Sequence, residues 1–362
     1  MKTSIGILTD TLKGHGGEET VLQQFSDNLS NYYQFEFIIP LYKGNYEWIR
    51  SLEKNKNTVL YNSKSSKIRK VTFALTKLID NNFDIVICMT PKFIYLAKIV
   101  KKIFKKQYKI VSWQHFSIFS QYFDKNVNKI KKLYWSADYY FAISSGITEE
   151  LKTLGIDSSK IYTIYNPVIP TTKSFSINEY GVTHFLCIAR VQFNHQKNLQ
   201  ELFDACSYLK GKWILDIYGN DDTDGQIELK KCKNYLKKLG ISEHVIWHGW
   251  VQNIWEEDIH PNCLVMTSNF EGFPMSLCEA ASHGIPLISS NCPTGPADII
   301  NDKNGFLYQM HDIDELVCYM QSFINRDVSF KDEVVKGSIS QFYVDNYVKN
   351  VKNAVDIILK NT

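Results

Sequence analysis

Two glutamates, Glu271 and Glu279, stand eight positions apart in the stretch SNFEGFPMSLCEAASHGIPLISS, residues 268–290. The run CLVMTSN before it reads as a buried strand, and FEGFP as the turn that follows. Pro274 suits the first position of a helix, which the pattern places over 275–282. The N–H groups at 275–277 would then be free to meet an anion, and the helix dipole favours a phosphate there. Glu271 falls in the loop ahead of that helix and Glu279 just over one turn into it. The two carboxylates therefore lie at different depths and cannot pinch one atom. Each can accept hydrogen bonds from a different pair of hydroxyls along an extended ligand. The alternative is a helix-capping glutamate beside a solvated one, a common arrangement at helix starts.

Other residues with chemistry in reach also follow predicted strands. IARVQFNHQKN (188–198) places Arg190 and Lys197 on one strand-end loop. Two cations there suit a diphosphate, bidentate from arginine and point-like from lysine, or they are ordinary surface charges. KGHGGEET (13–20) supplies Gly14, Gly16 and Gly17, which allow a tight turn and close approach of a ligand to the backbone. Glu19 stands where a dinucleotide fingerprint needs its third glycine. The stretch is thus a wall for a diphosphate or an acceptor sugar, or a plain strand-to-helix turn. VSWQHFS (111–117) puts His115 just past a strand, where it could donate to a hydroxyl or be structural. Asp222 and Asp224 in YGNDDTDG form an Asp-x-Asp pair that reads as turn chemistry. His195, His244, His248 and His283 show no metal spacing, so neither a metal site nor a cofactor is expected.

These residues need elements to hold them. Apolar runs at 4–9, 35–40, 84–89, 108–113, 139–144 and 161–165 alternate with amphipathic stretches such as 18–31, 68–81 and 92–106. The rhythm resumes at 184–189, 213–219, 244–250, 263–268 and 285–290. Short, non-alternating strands separated by helices imply parallel sheets covered on both faces. Two such series predict an α/β chain of two Rossmann-like domains facing a central cleft, with ligands beyond the carboxyl ends of the strands. The joint is expected in NPVIPTTKSFSINEYG (166–181), rich in proline, serine and threonine.

A chain of 362 residues with 44% hydrophobic side chains can bury two cores. No apolar run is long enough to span a bilayer, and the first ten residues read as a strand rather than a signal peptide, which predicts a cytoplasmic protein. The eight cysteines show no C-x-x-C spacing and are expected as reduced core residues. The net charge of +3 hides an asymmetry: residues 1–165 carry 24 Lys+Arg against 14 Asp+Glu, and residues 166–362 carry 17 against 24. The basic half suggests an anionic partner. FIYLAKIVKKIFKKQYK (93–109) would place Phe93, Leu96, Val100, Ile103 and Phe104 on one face, ringed by Lys98, Lys101, Lys102, Lys105, Lys106 and Lys109. KNVNKIKKLYW (125–135) adds four more lysines. This is either a solvated helix packed on its sheet or a surface drawn to anionic headgroups.

Glu271 and Glu279 in EGFPMSLCE, the GIPLISS that follows, Gly16-Gly17 and the Arg190/Lys197 pair resemble the family 4 retaining glycosyltransferases of GT-B fold, over essentially the whole chain. SWQHFS, ADYYFAISSGI, IYNPV, VIWHGW, TSNFEGFPMSLCEA, GIPLISSNCPTGPADII and SISQFY look, within that family, like the lipopolysaccharide 1,6-galactosyltransferases. The resemblance implies an acceptor-binding domain over 1–165, a nucleotide-sugar-binding domain over 166–340 and a helix, 341–362, returning to the first. It implies Glu279 on the ribose hydroxyls and Glu271 on the transferred hexose, with backbone contacts from Gly272, Phe273 and Met275. Arg190 and Lys197 would hold the diphosphate, helped by N–H groups at Ser276 and Leu277. Gly16 and Gly17 would approach the donor, His115 would sit beside the reacting carbon, and the base would lie near Val251 in GWVQN.

The implied reaction is retaining, metal-independent transfer of a hexose, galactose above others, from a UDP-sugar to a surface glycan such as lipopolysaccharide core or a lipid-linked oligosaccharide. The partners so implied are a UDP-hexose, that acceptor and an anionic membrane surface on the inner face of the cell membrane, with no nucleic acid. Two other readings stay open: a catalytically inactive GT-B protein that binds nucleotide or glycan for a partner transferase, and an epimerase on the same fold.

Overall fold

The computed structural model describes residues 2–12, 17–44, 46–62, 67–122, 127–175 and 181–360. The chain packs as two compact units, Met1–Pro167 with Val344–Thr362, and Val168–Tyr343.

The first unit is built on seven parallel strands: β1 (Thr3–Leu8), β2 (Tyr33–Ile39), β3 (Thr58–Tyr61), β4 (Ile85–Cys88), β5 (Lys109–Gln114), β6 (Tyr139–Ala142) and β7 (Ile161–Thr163). Their order across the sheet is β3-β2-β1-β4-β5-β6-β7. This is the doubly wound arrangement, in which the strand order reverses beside β1. Strand β4 is buried along its whole length, which is why its sequence does not alternate. An aromatic cluster fills one layer: the Phe25 ring centroid lies 5.0 Å from Phe35 and 4.8 Å from Trp113. The helix Val344–Lys360 belongs to this unit, with Tyr347, Val351, Ala354, Val355 and Ile358 buried. The Lys352 ammonium stands 3.8 Å from the Tyr32 ring centroid.

The second unit repeats the plan with six parallel strands: β8 (Thr183–Ile188), β9 (Trp213–Tyr218), β10 (Val245–Gly249), β11 (Cys263–Met266), β12 (Leu287–Ser290) and β13 (Gly305–Tyr308). They run β10-β9-β8-β11-β12-β13 across the sheet. Helices Leu199–Tyr208, Ile227–Leu239 and Ile313–Asn325 bring their buried residues into one apolar cluster with Phe185, Leu215, Ile217, Val265 and Ile288. All eight cysteines are unpaired and seven are buried; Cys318 is exposed. Among the described residues no helix is long and apolar enough to cross a membrane.

Two strands escape the sequence pattern. β3 and β13 are four-residue edge strands, and β13 opens on Gly305. A Cβ there would lie 2.0 Å from the Leu287 carbonyl oxygen, so the residue that admits β13 to the sheet also hides it from a pattern search. The helix of the lysine-rich stretch also differs from expectation. It spans Pro91–Ile103 and is closed by a Schellman turn: Lys105 takes a left-handed φ of 51°, and Lys106 N–H donates to the Lys101 carbonyl at 3.1 Å. Phe93 and Val100 are buried as expected, whereas Ile103 and Phe104 are exposed. Lys105 and Lys106 therefore lie beyond the helix, and Lys106 Nζ donates to the Asn81 carbonyl and Asn82 Oδ1, each at 3.0 Å.

One polar cluster crosses the second sheet. Asp216 of β9 bridges His184 Nδ1 at 3.0 Å and His248 Nε2 at 2.7 Å, and His248 stacks on Tyr218 with centroids 4.1 Å apart. Burial works against the Asp216 charge, but the hydrogen bonds from both histidines outweigh it and hold the carboxyl below its usual range. A depressed carboxyl stabilises the fold above its unfolded value, and that contribution disappears as pH falls through the folded one. Asp216→Asn is expected to cost about 1–2 kcal/mol at neutral pH. Urea melts should show the difference shrinking toward pH ~3.

Candidate active site

The carboxyl ends of the second sheet gather the charged residues. Strand β8 ends at Ile188, and the loop beyond it carries Arg190 and Lys197. Gly219, directly after β9, makes the loop possible: its φ is 149°, and a Cβ would stand 1.8 Å from the Ala189 carbonyl oxygen. The loop returns to its own start through Leu199 N–H to Gln192 O at 3.1 Å and Gln200 N–H to Phe193 O at 2.7 Å. It is also stitched to the segment after β11. Asn269 N–H donates to Gln196 O at 2.8 Å, Asn269 Nδ2 to His195 O at 2.7 Å, and Gln196 Nε2 to Phe270 O at 3.2 Å.

At the centre of this seam Lys197 Nζ lies 2.6 Å from Glu271 Oε1, with side chains 16% and 8% exposed. Arg190 Nη2 donates to Gln196 Oε1 at 2.8 Å. The Glu271 backbone is held from the other side: its N–H donates to Pro293 O at 3.2 Å, and Thr294 Oγ1 donates to its carbonyl. Gly295 takes a φ of 95° and passes so close that a Cβ would lie 2.6 Å from Pro274 Cδ and 3.0 Å from the Gly272 carbonyl. The TGP turn of NCPTGPAD therefore braces the EGFP turn.

The helix after that turn spans Met275–Ser282. Pro274 caps it rather than opening it, and the Leu277 N–H donates to the Pro274 carbonyl at 3.1 Å. This corrects the sequence reading, because Leu277 spends its N–H on the first turn instead of offering it to an anion. Gly272 and Phe273 are buried, and the Phe273 ring meets Phe342 edge-on at 5.2 Å, so that side chain serves packing. Met275 and Ser276 are half-buried. Glu279 receives Trp255 Nε1 at 3.4 Å, a long bond, and burial raises its carboxyl above the usual range with only partial relief from Trp255. Trp255 stacks on His283 with centroids 4.4 Å apart and planes 15° apart, and His283 Nδ1 lies 2.9 Å from the Glu279 carbonyl. Glu279 thus sits at the edge of an aromatic shelf. Val251 lies two residues beyond β10, half-buried, next to Trp250, whose N–H donates to Asn220 Oδ1 at 3.0 Å.

In the first unit His115 follows β5 directly. It is buried against Trp113, ring centroids 4.6 Å apart, and its Nε2 has no hydrogen-bond partner among the described residues. Burial pushes the imidazole down to about 3, so it is neutral at physiological pH. Gly17 opens the helix Gly17–Leu29, and a Cβ there would meet nothing within 4 Å, so packing in this unit does not require a glycine. Gly14 and Gly16 lie outside the described residues. Glu18, next in the chain, was not singled out from sequence; burial, then Glu19 and Asp10, push its carboxyl up to about 7.

The support behind the cationic loop was also invisible in the sequence. Asn198 takes a left-handed φ of 47° and donates to Glu201 Oε2 at 2.7 Å. Glu201 is buried and also accepts from Tyr308 Oη and His311 Nδ1, each at 2.8 Å. Tyr308 and His311 lie more than a hundred residues from Glu201, so no local pattern announces the cluster. Asp222 and Asp224 are exposed, and it is Asp221 that organises their turn, accepting from Thr223 and Leu229 N–H groups at 2.8 Å each. Among the described residues no group of three or more His, Cys, Asp or Glu is placed to hold a metal ion.

Residues 175–360 match the sequence profile "Glycosyl transferases group 1", and residues 15–171 match "Glycosyltransferase Family 4". The chain belongs to this family of GT-B glycosyltransferases and is a hexosyltransferase. It is 33% identical to a lipopolysaccharide 1,6-galactosyltransferase of Salmonella typhimurium, covering 97% of this chain and 98% of that one. It is likewise 33% identical to the Escherichia coli enzyme of the same name, covering 97% of each chain. The apo structure of the lipopolysaccharide outer core galactosyltransferase WaaB superposes with a TM-score of 0.85 at 30% identity, over 98% of this chain and 99% of that one. Anabaena HepE, solved with UDP and glucose, shares the fold with a TM-score of 0.80 at 16% identity, over 97% and 99%.

Removing the carboxylate that anchors Asn198 tests the scaffold. Glu201→Ala strands the buried Tyr308 hydroxyl, removes one of the two Asn198 Nδ2 bonds and frees the exposed His311, and is expected to cost about 2–3 kcal/mol. Glu201→Gln should recover part of that loss. Denaturant unfolding of both variants reads the difference; equal, near-zero losses would show the cluster to be idle.

Proposed function

We propose that this chain transfers galactose from UDP-galactose to a glycan acceptor of the cell surface, lipopolysaccharide core or a lipid-linked oligosaccharide, with retention at the anomeric carbon and without a metal ion. The observation that carries the reading is the buried Lys197–Glu271 pair beside Arg190 at the carboxyl ends of β8 and β11. Lys197 Nζ and Glu271 Oε1 lie 2.6 Å apart, which supports reading them as a cation for a diphosphate and a carboxylate for hexose hydroxyls. Near full-length similarity to two lipopolysaccharide 1,6-galactosyltransferases supports the choice of sugar and acceptor.

In this reading Glu279 accepts from the ribose hydroxyls, and its desolvated carboxylate, met only by the long Trp255 contact among the described residues, keeps acceptor capacity for them. Glu271 accepts from hexose hydroxyls, with backbone groups of Gly272, Phe273 and Met275 alongside. Arg190, Lys197 and the Ser276 N–H neutralise the diphosphate as the bond from the anomeric carbon to UDP oxygen breaks. The acceptor oxygen bonds to the same face of that carbon, and its proton passes to the departing phosphate, which accounts for retention with no carboxylate placed as a nucleophile. His115, neutral, donates to a sugar hydroxyl, and Gly17 leaves room for the donor to approach. The reaction takes place on the cytoplasmic side, with the protein peripheral on the inner face of the membrane through its basic first unit. Similarity to two galactosyltransferases over nearly the whole chain gives no support to an inactive binding protein.

Incubating the protein with UDP-galactose or UDP-glucose and lipopolysaccharide core oligosaccharide, and reading released UDP and the anomeric signal of the product, tests this. Transfer of galactose with retention is expected; an isomerised donor, or no turnover with any donor, would overturn it. Glu279→Gln should weaken UDP binding about tenfold, whereas Glu271→Gln should leave UDP affinity near wild type and lower turnover about a hundredfold, read by calorimetry and initial rates. The glutamine variants are chosen because Glu271→Ala would strand a buried lysine. Activity should persist in EDTA, and loss that manganese restores would reassign Asp222 and Asp224.

A further inference from the structure

Away from the residues of the candidate active site, the first unit carries a recess of about 620 Å³. Its wall holds Lys98, Lys101 and Lys102 of the helix Pro91–Ile103, together with Lys109, Lys160, Trp135 and Asp138. Lys109 is the first residue of β5, and Asp138 and Lys160 directly precede β6 and β7. The strands are parallel, so the recess lies at the amino end of the sheet, opposite the end that carries His115.

Three elements thus bring five lysines to the lining of one hollow. Asp138 is the acid in its lining, paired with Lys101 at 2.8 Å, and Lys98, Lys102 and Lys160 add positive charge that this pair does not offset. The helix dipole would account for Lys101 and Lys102 at a helix end, but not for Lys109 and Lys160 arriving from elsewhere. Like charges repel by about 1 kcal/mol at 4 Å even in water, so gathering them is a cost that a bound anion would relieve. The lining is not purely polar: Trp135 is 49% exposed, with the Lys131 ammonium 4.8 Å from its ring centroid. Outside the lining, at the end of the helix that supplies Lys98, Lys101 and Lys102, Ile103 and Phe104 are 66% and 47% exposed. Exposed aromatic and aliphatic side chains among lysines are the composition of a surface that lies in a lipid interface.

We infer that this recess seats the phosphate of an anionic phospholipid headgroup, with Trp135, Ile103 and Phe104 at the headgroup level. The inference deepens the peripheral-membrane reading above by giving it a site, and commits the docking surface to the amino end of the first sheet. Lys98, Lys102 and Lys160 are exposed, so changing all three to glutamine should leave the fold intact.

Cosedimentation with vesicles of phosphatidylethanolamine, with and without phosphatidylglycerol, is the test. The wild-type chain should bind the anionic vesicles and release them in high salt. The triple variant should bind about a hundredfold more weakly, from roughly 1 kcal/mol per lysine. Lys230→Gln/Lys233→Gln/Lys237→Gln, three exposed lysines of the second unit, should bind as wild type. UDP titration of the triple variant should match wild type, which separates a lost dock from a failed donor assignment. Equal vesicle binding by wild type and triple variant overturns the site, and so does wild-type binding that ignores lipid charge or is absent. A thermal upshift by inorganic phosphate that the triple variant lacks, without vesicle binding, would reassign the recess to a soluble phosphate ligand and overturn the lipid assignment.

Discussion

The Lys197–Glu271 ion pair is the constraint on which the carboxyl-end edge of the second sheet depends. Two opposite charges drawn largely out of water hold each other because neither can be left alone: stripping one partner from a buried pair costs about 3–5 kcal/mol. The loop after β8 and the loop after β11 are therefore one object. Glu201 fixes Asn198, Asn198 fixes the turn that aims Lys197, and the Thr294–Gly295 brace fixes Glu271 from behind. The polarity of the site follows from this arrangement. A cation and a carboxylate satisfied by each other stand at the carboxyl ends of β8 and β11, each on a loop whose backbone is held by hydrogen bonds of its own.

The fold was legible because the strands buried on both faces announce themselves as short apolar runs. The helix over 275–282 was placed from Pro274 and the run after it, and the structure ends it at the same residues. Strands β3 and β13 were not seen because edge strands are short and half-exposed, and β13 begins with the glycine that lets it pair. The lysine-rich helix misled the periodicity: the buried face holds only as far as Val100, and Phe104, Lys105 and Lys106 belong to the closing turn rather than to the helix. Single residues of the site could be picked out because Arg190, Lys197, Glu271 and Glu279 each follow a strand. Their partners could not, since Gln196, Thr294, Tyr308, His311 and Trp255 become neighbours only once the sheet has closed. The Leu277 N–H shows the limit of reasoning from an ideal helix, where the real first turn consumed a donor that the ideal one leaves free.

The two units share one topology but differ in chemistry. At the carboxyl end of the first sheet the perturbed groups are a neutral imidazole and a carboxyl raised toward neutrality, both shaped mainly by burial. At the corresponding end of the second sheet, charges are paired and hydrogen-bonded. The first sheet carries charge of its own at that end, Asp10 with Lys70 at 3.5 Å and with Lys92, so the two copies of the scaffold differ in how deeply the pair is buried rather than in whether charge is present.

The helix Val344–Lys360 belongs to the unit whose sheet was made first, yet it is synthesised after every residue of Val168–Tyr343. On the ribosome the second unit can therefore close while the first still waits for its last element, with the surface around Tyr32 and Tyr33 uncovered. The first unit is the one that a chaperone or protease meets unfinished. A chain stalled before Val344 would release a complete second unit tethered to an incomplete first one. Order of synthesis and order of completion run in opposite directions along this chain.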